Sequence, residues 1–295
     1  MNTVDQTEIS INGRFFKTAK PKNEPYLCLP EPADFIANLQ QTGIRADLFT
    51  FMQEIGESNP KYDYQSEPER FAVLPISTYE NWYEDKIGFR PRNKIRKAQK
   101  LGVKLRVMEF DDDCVRGIMG IYNESPLIQQ KPNWHYGKDF DTMKKMLGTF
   151  DGKSEFIGAF YGDEMIGFIK LVRGKQFAGL MHIISKQAHR DKAPTNALIA
   201  KAVETCAQLK LAYLQYGVWS RRGLGDFKAS NCFECLEVPR YFVPLNTKGR
   251  LMLKLSLHRQ FREYLPAGWW DAAVALRDKW NIYRHRKMVL EPPVK

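Results

Sequence analysis

The chain has 295 residues, a net charge of +11 and 43% hydrophobic residues, a composition that excludes a disordered or collagen-like protein. Its five cysteines, an odd number in a long chain, argue against a disulfide scaffold. No apolar run reaches the ~20 residues that span a bilayer. The polar N-terminus also lacks the apolar segment of a signal peptide, so we expect a cytoplasmic protein. The excess positive charge indicates an anionic partner without identifying it.

The first part of the chain predicts little regular structure. Residues 1–22 are polar and predict a loose tail. Two short helices are predicted over residues 33–41 and 46–55, and each is followed by a glycine that can end it. Residues 56–69 predict a surface loop, and residues 71–76 predict a short strand.

The next segment shows clear start and stop signals. Ser77 and Glu80 have the spacing of a capping box, which predicts the start of a helix. A second helix is predicted to begin near Pro91 and to end at Gly102. Residues 103–107 alternate between apolar and basic side chains and predict a half-buried strand.

The elements that follow are predicted in a definite order. Residues 111–123, 124–138 and 139–147 predict a helix, a long loop and a second helix. Residues 156–184 predict a three-stranded antiparallel meander. A basic loop is then predicted over residues 185–193 and a long helix over 194–209. They are followed by a strand (211–216), a short helix (223–230) and a second strand (237–245). Residues 251–283 predict an amphipathic helical end.

Eight Lys or Arg residues and no acidic residue lie between Arg90 and Arg106. On a helix, Arg92, Arg96 and Lys100 would share one face, where like charges repel one another. Such a face can bind phosphates. A solvated helix face explains the same pattern, and the two interpretations have about equal weight.

A second basic segment joins a strand to a helix between His182 and Asn196. The unpaired N–H groups at a helix start, together with Lys186, Arg190 and Lys192, could hold a pyrophosphate. The segment lacks the glycines of a P-loop, and an ordinary polar loop is the alternative.

Further along the chain, glycines around Arg221, Arg222 and Lys228 predict either a close backbone approach to a ligand or an ordinary loop. Cys232 and Cys235 have half of a zinc-site spacing but no second pair nearby, which favours two buried thiols. The only aromatic-flanked histidine, in Trp134-His135-Tyr136, is interpreted as an anchor of its loop and not as a catalyst.

The order of these elements resembles the GNAT acyltransferase fold and is most similar to the Fem-type group. Residues 92–98 followed by Gly102-Val103, the segment 223–228 (GLGDFK) and the segment 239–245 (PRYFVPL) are similar to Fem-type motifs. The resemblance implies an α+β protein with a mixed, mostly antiparallel sheet flanked by helices. It places a GNAT-like domain at residues 71–250, an N-terminal tail and helical remnant at 1–70, and a C-terminal helical extension at 251–295.

The same resemblance implies an N-acyltransferase, in which an amine attacks an activated acyl carbonyl and forms a tetrahedral intermediate. It assigns Tyr216 as the general acid and Glu124 as the candidate base. Lys228 would hold an anionic part of the donor or acceptor. The resemblance further assigns donor binding to His182, Ile184, Lys186, Arg190, Lys192 and Asn196, and substrate binding to Arg92, Arg96, Trp134 and Phe227.

Two donors are compatible with the resemblance. Acyl-CoA is the commoner donor for a single GNAT domain and is preferred. Aminoacyl-tRNA is the Fem-type alternative, as in transfer to a cell-wall precursor. The expected acceptor is an amine on a small molecule or a cell-envelope precursor, and no metal is expected. The alternative of another class is a non-catalytic protein that binds nucleic acid, or an anionic membrane surface, through residues 90–106 and the basic C-terminus (Arg284, Arg286, Lys287).

Overall fold

The computed structural model describes residues 3–5, 7–24, 26, 29, 31–128, 131–220, 223–259, 275–277 and 279–280. The chain divides into two compact units. The first comprises Met1–Ile76, Arg173–Gly179 and Leu211–Gln260, and the second comprises Ser77–Val172, Leu180–Lys210 and Phe261–Lys295. The division at residues 70 and 250 that the sequence suggests stays a prediction.

The strands are β1 (Thr3–Val4), β2 (Thr7–Asn12), β3 (Thr18–Pro21), β4 (Leu48–Met52), β5 (Gln65–Pro75), β6 (Lys104–Met108), β7 (Leu127–Ile128), β8 (Lys131–Pro132), β9 (Ser154–Tyr161), β10 (Glu164–Arg173), β11 (Phe177–Ser185), β12 (Tyr213–Val218) and β13 (Glu234–Pro244). The α-helices are α1 (Pro32–Gln41), α2 (Phe89–Lys100), α3 (Asp112–Tyr122), α4 (Phe140–Leu147), α5 (Pro194–Gln208), α6 (Gly223–Ser230) and α7 (Thr247–Lys254). A π-helix spans Asn81–Lys86 and a 3₁₀-helix spans Gln187–Lys192.

The first unit is a mostly antiparallel sheet with strand order β1-β2-β3-β4-β13-β5-β12. The β3–β4 pair is parallel. So is the pairing of β12 with the first residues of β11, which matches Phe177–Gly179 with Tyr213–Gln215. Its core forms where α1 packs against the sheet, with Phe35 stacked on Phe49, and Phe51 stacked on Tyr241.

The second unit has the strand order β11-β10-β9-β6, and β9 pairs antiparallel with both β10 and β6. Helices α3 and α4 bury Ile118, Met143 and Leu147 in a core that includes Phe156 and Phe168. Aspartates cap both helices: Asp111 accepts the N–H of Cys114, and Asp139 accepts that of Thr142, each at 2.8 Å. The predicted helices, the meander and the α+β architecture are confirmed in this unit.

The helix predicted over residues 46–55 is wrong, because Leu48–Met52 is the strand β4. All five of its residues are buried, and it lies between β3 and β13 in the sheet. A short apolar run covered on both faces has no alternation, so periodicity cannot distinguish a strand from a helix there.

The N-terminal segment differs from the prediction in three further ways. Residues 1–22 contain the strands β1 to β3, so they are not a loose tail. β5 begins at Gln65, inside the predicted loop, since its polar first half pairs with β13. The helix predicted to start at Ser77 is capped instead by the Thr78 hydroxyl, which accepts the N–H of Asn81.

The C-terminal helix predicted over residues 251–283 is present as α7 up to Lys254, and most of the remainder lies outside the described residues. The basic residues Arg221, Arg222, Arg284, Arg286 and Lys287 also lie outside them. Cys235 is exposed and Cys232 is half-buried, so the prediction of two buried thiols is wrong. No helix in the described part of the chain has the length and apolar character needed to cross a membrane.

Candidate functional site

The predicted donor loop follows β11 in the second unit. The 3₁₀-helix Gln187–Lys192 fills it, and α5 begins at Pro194 after a left-handed residue, Ala193, with φ of 53°. The Ser185 and Thr195 hydroxyls lie 2.8 Å apart and join the two sides of the loop. The strand-loop-helix order that the sequence predicts is therefore present.

Glu124 contacts this loop directly. Its carboxylate accepts the backbone N–H of Gln187 at 2.6 Å and that of Ala188 at 2.8 Å. The carboxyl group of the residue suggested as a general base is thus already bound to the two N–H groups that open the loop. Each of the two carboxyl oxygens accepts one of these hydrogen bonds, which favours an anchoring role for Glu124.

The basic side chains of the loop also have acidic neighbours. Glu164 lies 2.5 Å from Lys186 Nζ and 3.1 Å from His189 Nε2, and the hydrogen bond from Lys186 lowers the pKa of this carboxyl. Lys192 pairs with Asp191 at 3.3 Å and lies 4.8 Å from the centre of the Tyr161 ring. Arg190 is exposed. Most of the positive charge predicted for the loop is therefore neutralised locally.

Tyr216 and Lys228 lie together in the first unit. The Lys228 ammonium donates to the Val218 carbonyl at 2.8 Å and to the Ser220 hydroxyl at 3.2 Å, and it lies 4.7 Å from the centre of the Tyr216 ring. Burial lowers the pKa of Lys228 to about 8 and raises the pKa of Tyr216 to about 12. Phe227, next to Lys228, is half-buried.

The other predicted substrate-binding residues have local partners or are exposed. Arg92 donates to the Glu84 carbonyl at 2.6 Å and to the Ile87 carbonyl at 3.0 Å, at the end of the π-helix. Arg96 donates to the Tyr83 hydroxyl at 3.3 Å. Trp134 is 81% exposed. Arg92 therefore has a structural task that the basic pattern alone did not indicate.

Sequence reasoning missed a cluster on the α3 side of β11. There Tyr122 and His135 contact the side chain of His182, which the sequence suggested only as a donor-binding residue. Ile184 is half-buried and Asn196 is buried. No sequence signal links Tyr122 to His182, because the pairing depends on how α3 packs on the sheet.

No group of three or more His, Cys, Asp or Glu side chains among the described residues is arranged to hold a metal ion. No protein-family model matches the sequence. No curated protein matches it either.

Solved structures do match the fold. The C-terminal domain of a putative lysylphosphatidylglycerol synthetase from Agrobacterium fabrum is 12% identical, with 84% of each chain covered and a TM-score of 0.56. L-PGS from Bacillus licheniformis is 11% identical, with 85% of this chain and 86% of that chain covered and a TM-score of 0.56. FemX is 12% identical, with 77% of this chain and 72% of that chain covered and a TM-score of 0.48. At these identities the likeness is one of fold, and the predicted GNAT-like α+β fold, with its mixed, mostly antiparallel sheet flanked by helices, is confirmed.

Proposed function

We propose that this chain is an acyl-transfer enzyme that takes its acyl group from an aminoacyl-tRNA. The observation that carries the choice of donor is the Glu124 carboxylate on the N–H groups of Gln187 and Ala188. The name of the matched synthetase describes the joining of a lysyl group to a phospholipid, which is an aminoacyl transfer.

By the resemblance to GNAT proteins, the loop after β11 corresponds to the loop that holds the pyrophosphate of coenzyme A. A carboxylate bound to its first N–H groups competes with a phosphate for the same donors and repels it. Residues 186–196 also contain no glycine, so side chains restrict the close backbone approach that a pyrophosphate needs. These features favour the Fem-type donor over acyl-CoA, which becomes the second candidate.

A tRNA donor would find a suitable surface in the second unit. Seven basic side chains on and after α2 are exposed: Arg90, Lys94, Arg96, Lys97, Lys100, Lys104 and Arg106. No acidic residue interrupts them in the sequence. Such a face suits the regularly spaced phosphates of an RNA backbone better than one small ligand.

The proposed reaction forms a C–N bond between an acceptor amine and the aminoacyl carbonyl, and it breaks the ester bond to the terminal ribose. The Tyr216 phenol, whose pKa burial raises to about 12, is protonated at neutral pH like other tyrosines and can supply a proton to the leaving ribose oxygen. The proton that the amine releases replaces it. Among the described residues Lys228 has partners for two of its three N–H bonds, which leaves one for the oxyanion of the intermediate.

The donor is tested by comparing aminoacylated tRNA with acetyl-CoA. Fluorescence anisotropy with labelled tRNA should show affinity that falls by about 10³-fold or more between roughly 50 and 200 mM salt, since several phosphates are contacted. Lys94→Glu combined with Lys97→Glu should weaken tRNA binding, whereas the control Lys153→Glu, on an exposed lysine outside this surface, should not.

Calorimetry with acetyl-CoA should show no binding to the natural chain at millimolar ligand. Binding of acetyl-CoA together with salt-insensitive or undetectable tRNA binding would overturn the proposed donor and favour acyl-CoA. Transfer of a radiolabelled amino acid from charged tRNA to an amine acceptor is the direct test of the activity.

A further inference from the structure

Two histidines and a tyrosine meet in the second unit. The Tyr122 hydroxyl, at the end of α3, lies 3.0 Å from Nδ1 of His182 on β11. The His135 ring, from the loop between α3 and α4, lies 4.4 Å from the Tyr122 ring and 5.7 Å from the His182 ring, centre to centre. Phe168 on β10 stacks beside His182 with ring centres 6.3 Å apart. The reaction proposed above uses none of these side chains.

The contacts of the two imidazole rings bear on which nitrogen of each ring carries the proton. The Tyr122 hydroxyl donates to His182 Nδ1 when the imidazole proton lies on Nε2, and this is the tautomer that the proposal below requires. The Lys138 ammonium, which can only donate, lies 3.5 Å from His135 Nδ1 and favours the same tautomer there. Neither Nε2 has a hydrogen-bond partner in the described part of the chain, and both rings are half-buried, so both N–H groups remain available.

The charged groups around His182 are all basic. Burial, together with the smaller effects of His135, Lys170 and Lys138, lowers the pKa of His182 to about 4. The buried Lys170 ammonium bonds the carbonyls of Leu147 and Thr149, each at 2.6 Å, and the Thr149 hydroxyl at 3.0 Å. Within the described residues, neither Lys138 nor Lys170 has a carboxylate at ion-pair distance. The cluster therefore offers donors and positive potential without a counter-ion.

We propose that His182 and His135 form a binding site for an oxyanion, a carboxylate or phosphate group of a substrate, through their two Nε2–H groups. The site lies outside the loop held by Glu124 and does not depend on which donor the enzyme uses. Tyr122 is its positioning residue, because it holds His182 in the donor tautomer. A bound anion would supply the missing counter-charge and make protonation of His182 easier.

The test is side-chain NMR of the full chain labelled with ¹⁵N-histidine. Without ligand, both His182 and His135 should carry the proton on Nε2. Inorganic phosphate or acetate at neutral pH, at constant ionic strength set by chloride, should shift both Nε2 signals with one saturable dissociation constant. The apparent pKa of His182 should rise by about one unit or more on binding. Comparison of the two probes shows which oxyanion the site prefers.

Tyr122→Phe should mix the two tautomers of His182 and weaken anion binding about threefold to tenfold, the loss expected for one hydrogen bond. His135→Asn, on a half-buried loop residue, should weaken it without unfolding the core. The matched control is His189→Gln, since His189 pairs with Glu164 outside the cluster. An Nδ1–H tautomer for His182, shifts that do not saturate, or equal shifts with chloride alone would overturn the proposal. None of these outcomes depends on tRNA binding.

Discussion

At the scale of single residues, Lys170 is the most unusual side chain of the second unit. It is fully buried on β10, and its ammonium bonds the carbonyls of Leu147 and Thr149 where α4 ends. A cation at the C-terminal end of a helix satisfies carbonyls that have no partner within the helix. Lys170→Met should therefore lower the free energy of unfolding by about 1–3 kcal/mol, because the carbonyls of Leu147 and Thr149 lose their donor.

Urea denaturation followed by circular dichroism measures this change. Lys153→Met is the control, since Lys153 is an exposed lysine of the same unit, and it should stay within about 0.5 kcal/mol of the natural chain. If Lys170→Met were as stable as this control, the end of α4 would not depend on the buried ammonium.

At the scale of elements, helix α3 contains two glycines with different surroundings. A Cβ atom at Gly120 would meet no atom within 4 Å, whereas one at Gly117 would lie 2.7 Å from the Met165 Cε. Gly120→Ala should stabilise the protein by about 0.5–1 kcal/mol through helix propensity alone. Gly117→Ala gains the same propensity but must displace Met165, so it should be about 1–3 kcal/mol less stable than Gly120→Ala.

Thermal unfolding of the two variants gives the comparison directly, because both changes add one methyl group to the same helix. Equal melting temperatures would mean that Met165 moves aside without cost. A Gly117→Ala, Met165→Ala double variant should recover part of the difference if the clash is its cause.

The elements that the sequence predicts well are those with local signals. Helices α3 and α4 start at capping aspartates, and the strands of the meander are separated by glycine turns. The strand β4 has no such signal, since its two faces are covered by α1, which packs with Phe49 and Phe51, and by Met252 of α7, which packs with Leu48. The site follows the same rule. The basic loop is visible in the sequence, but Glu124, 63 residues before Gln187, reaches the loop only through the tertiary fold.

At the scale of the whole molecule, the described residues of each unit include a buried lysine with a lowered pKa. Burial lowers the pKa of Lys170 and of Lys228 to about 8, while an unfolded chain keeps lysine near 10.4. Between these values the unfolded chain binds more protons than the folded one, so stability rises with pH. Burial raises the pKa of Tyr26, Tyr79 and Tyr216 to about 12, so their contribution is full below about pH 10 and is lost above it.

The free energy of unfolding should therefore increase between about pH 7.5 and about pH 9.5, by about 1–2 kcal/mol for each lysine, and decrease again above about pH 11. Urea titrations across this range measure the effect. Lys170→Met should remove the part of the increase that belongs to the second unit, and Lys228→Met the part that belongs to the first. Lys153→Met should leave the whole increase in place, because an exposed lysine titrates alike in both states. If the increase in stability with pH remains after both buried lysines are substituted, other groups cause it. If stability falls steadily from neutral pH, the two ammonium groups are not desolvated.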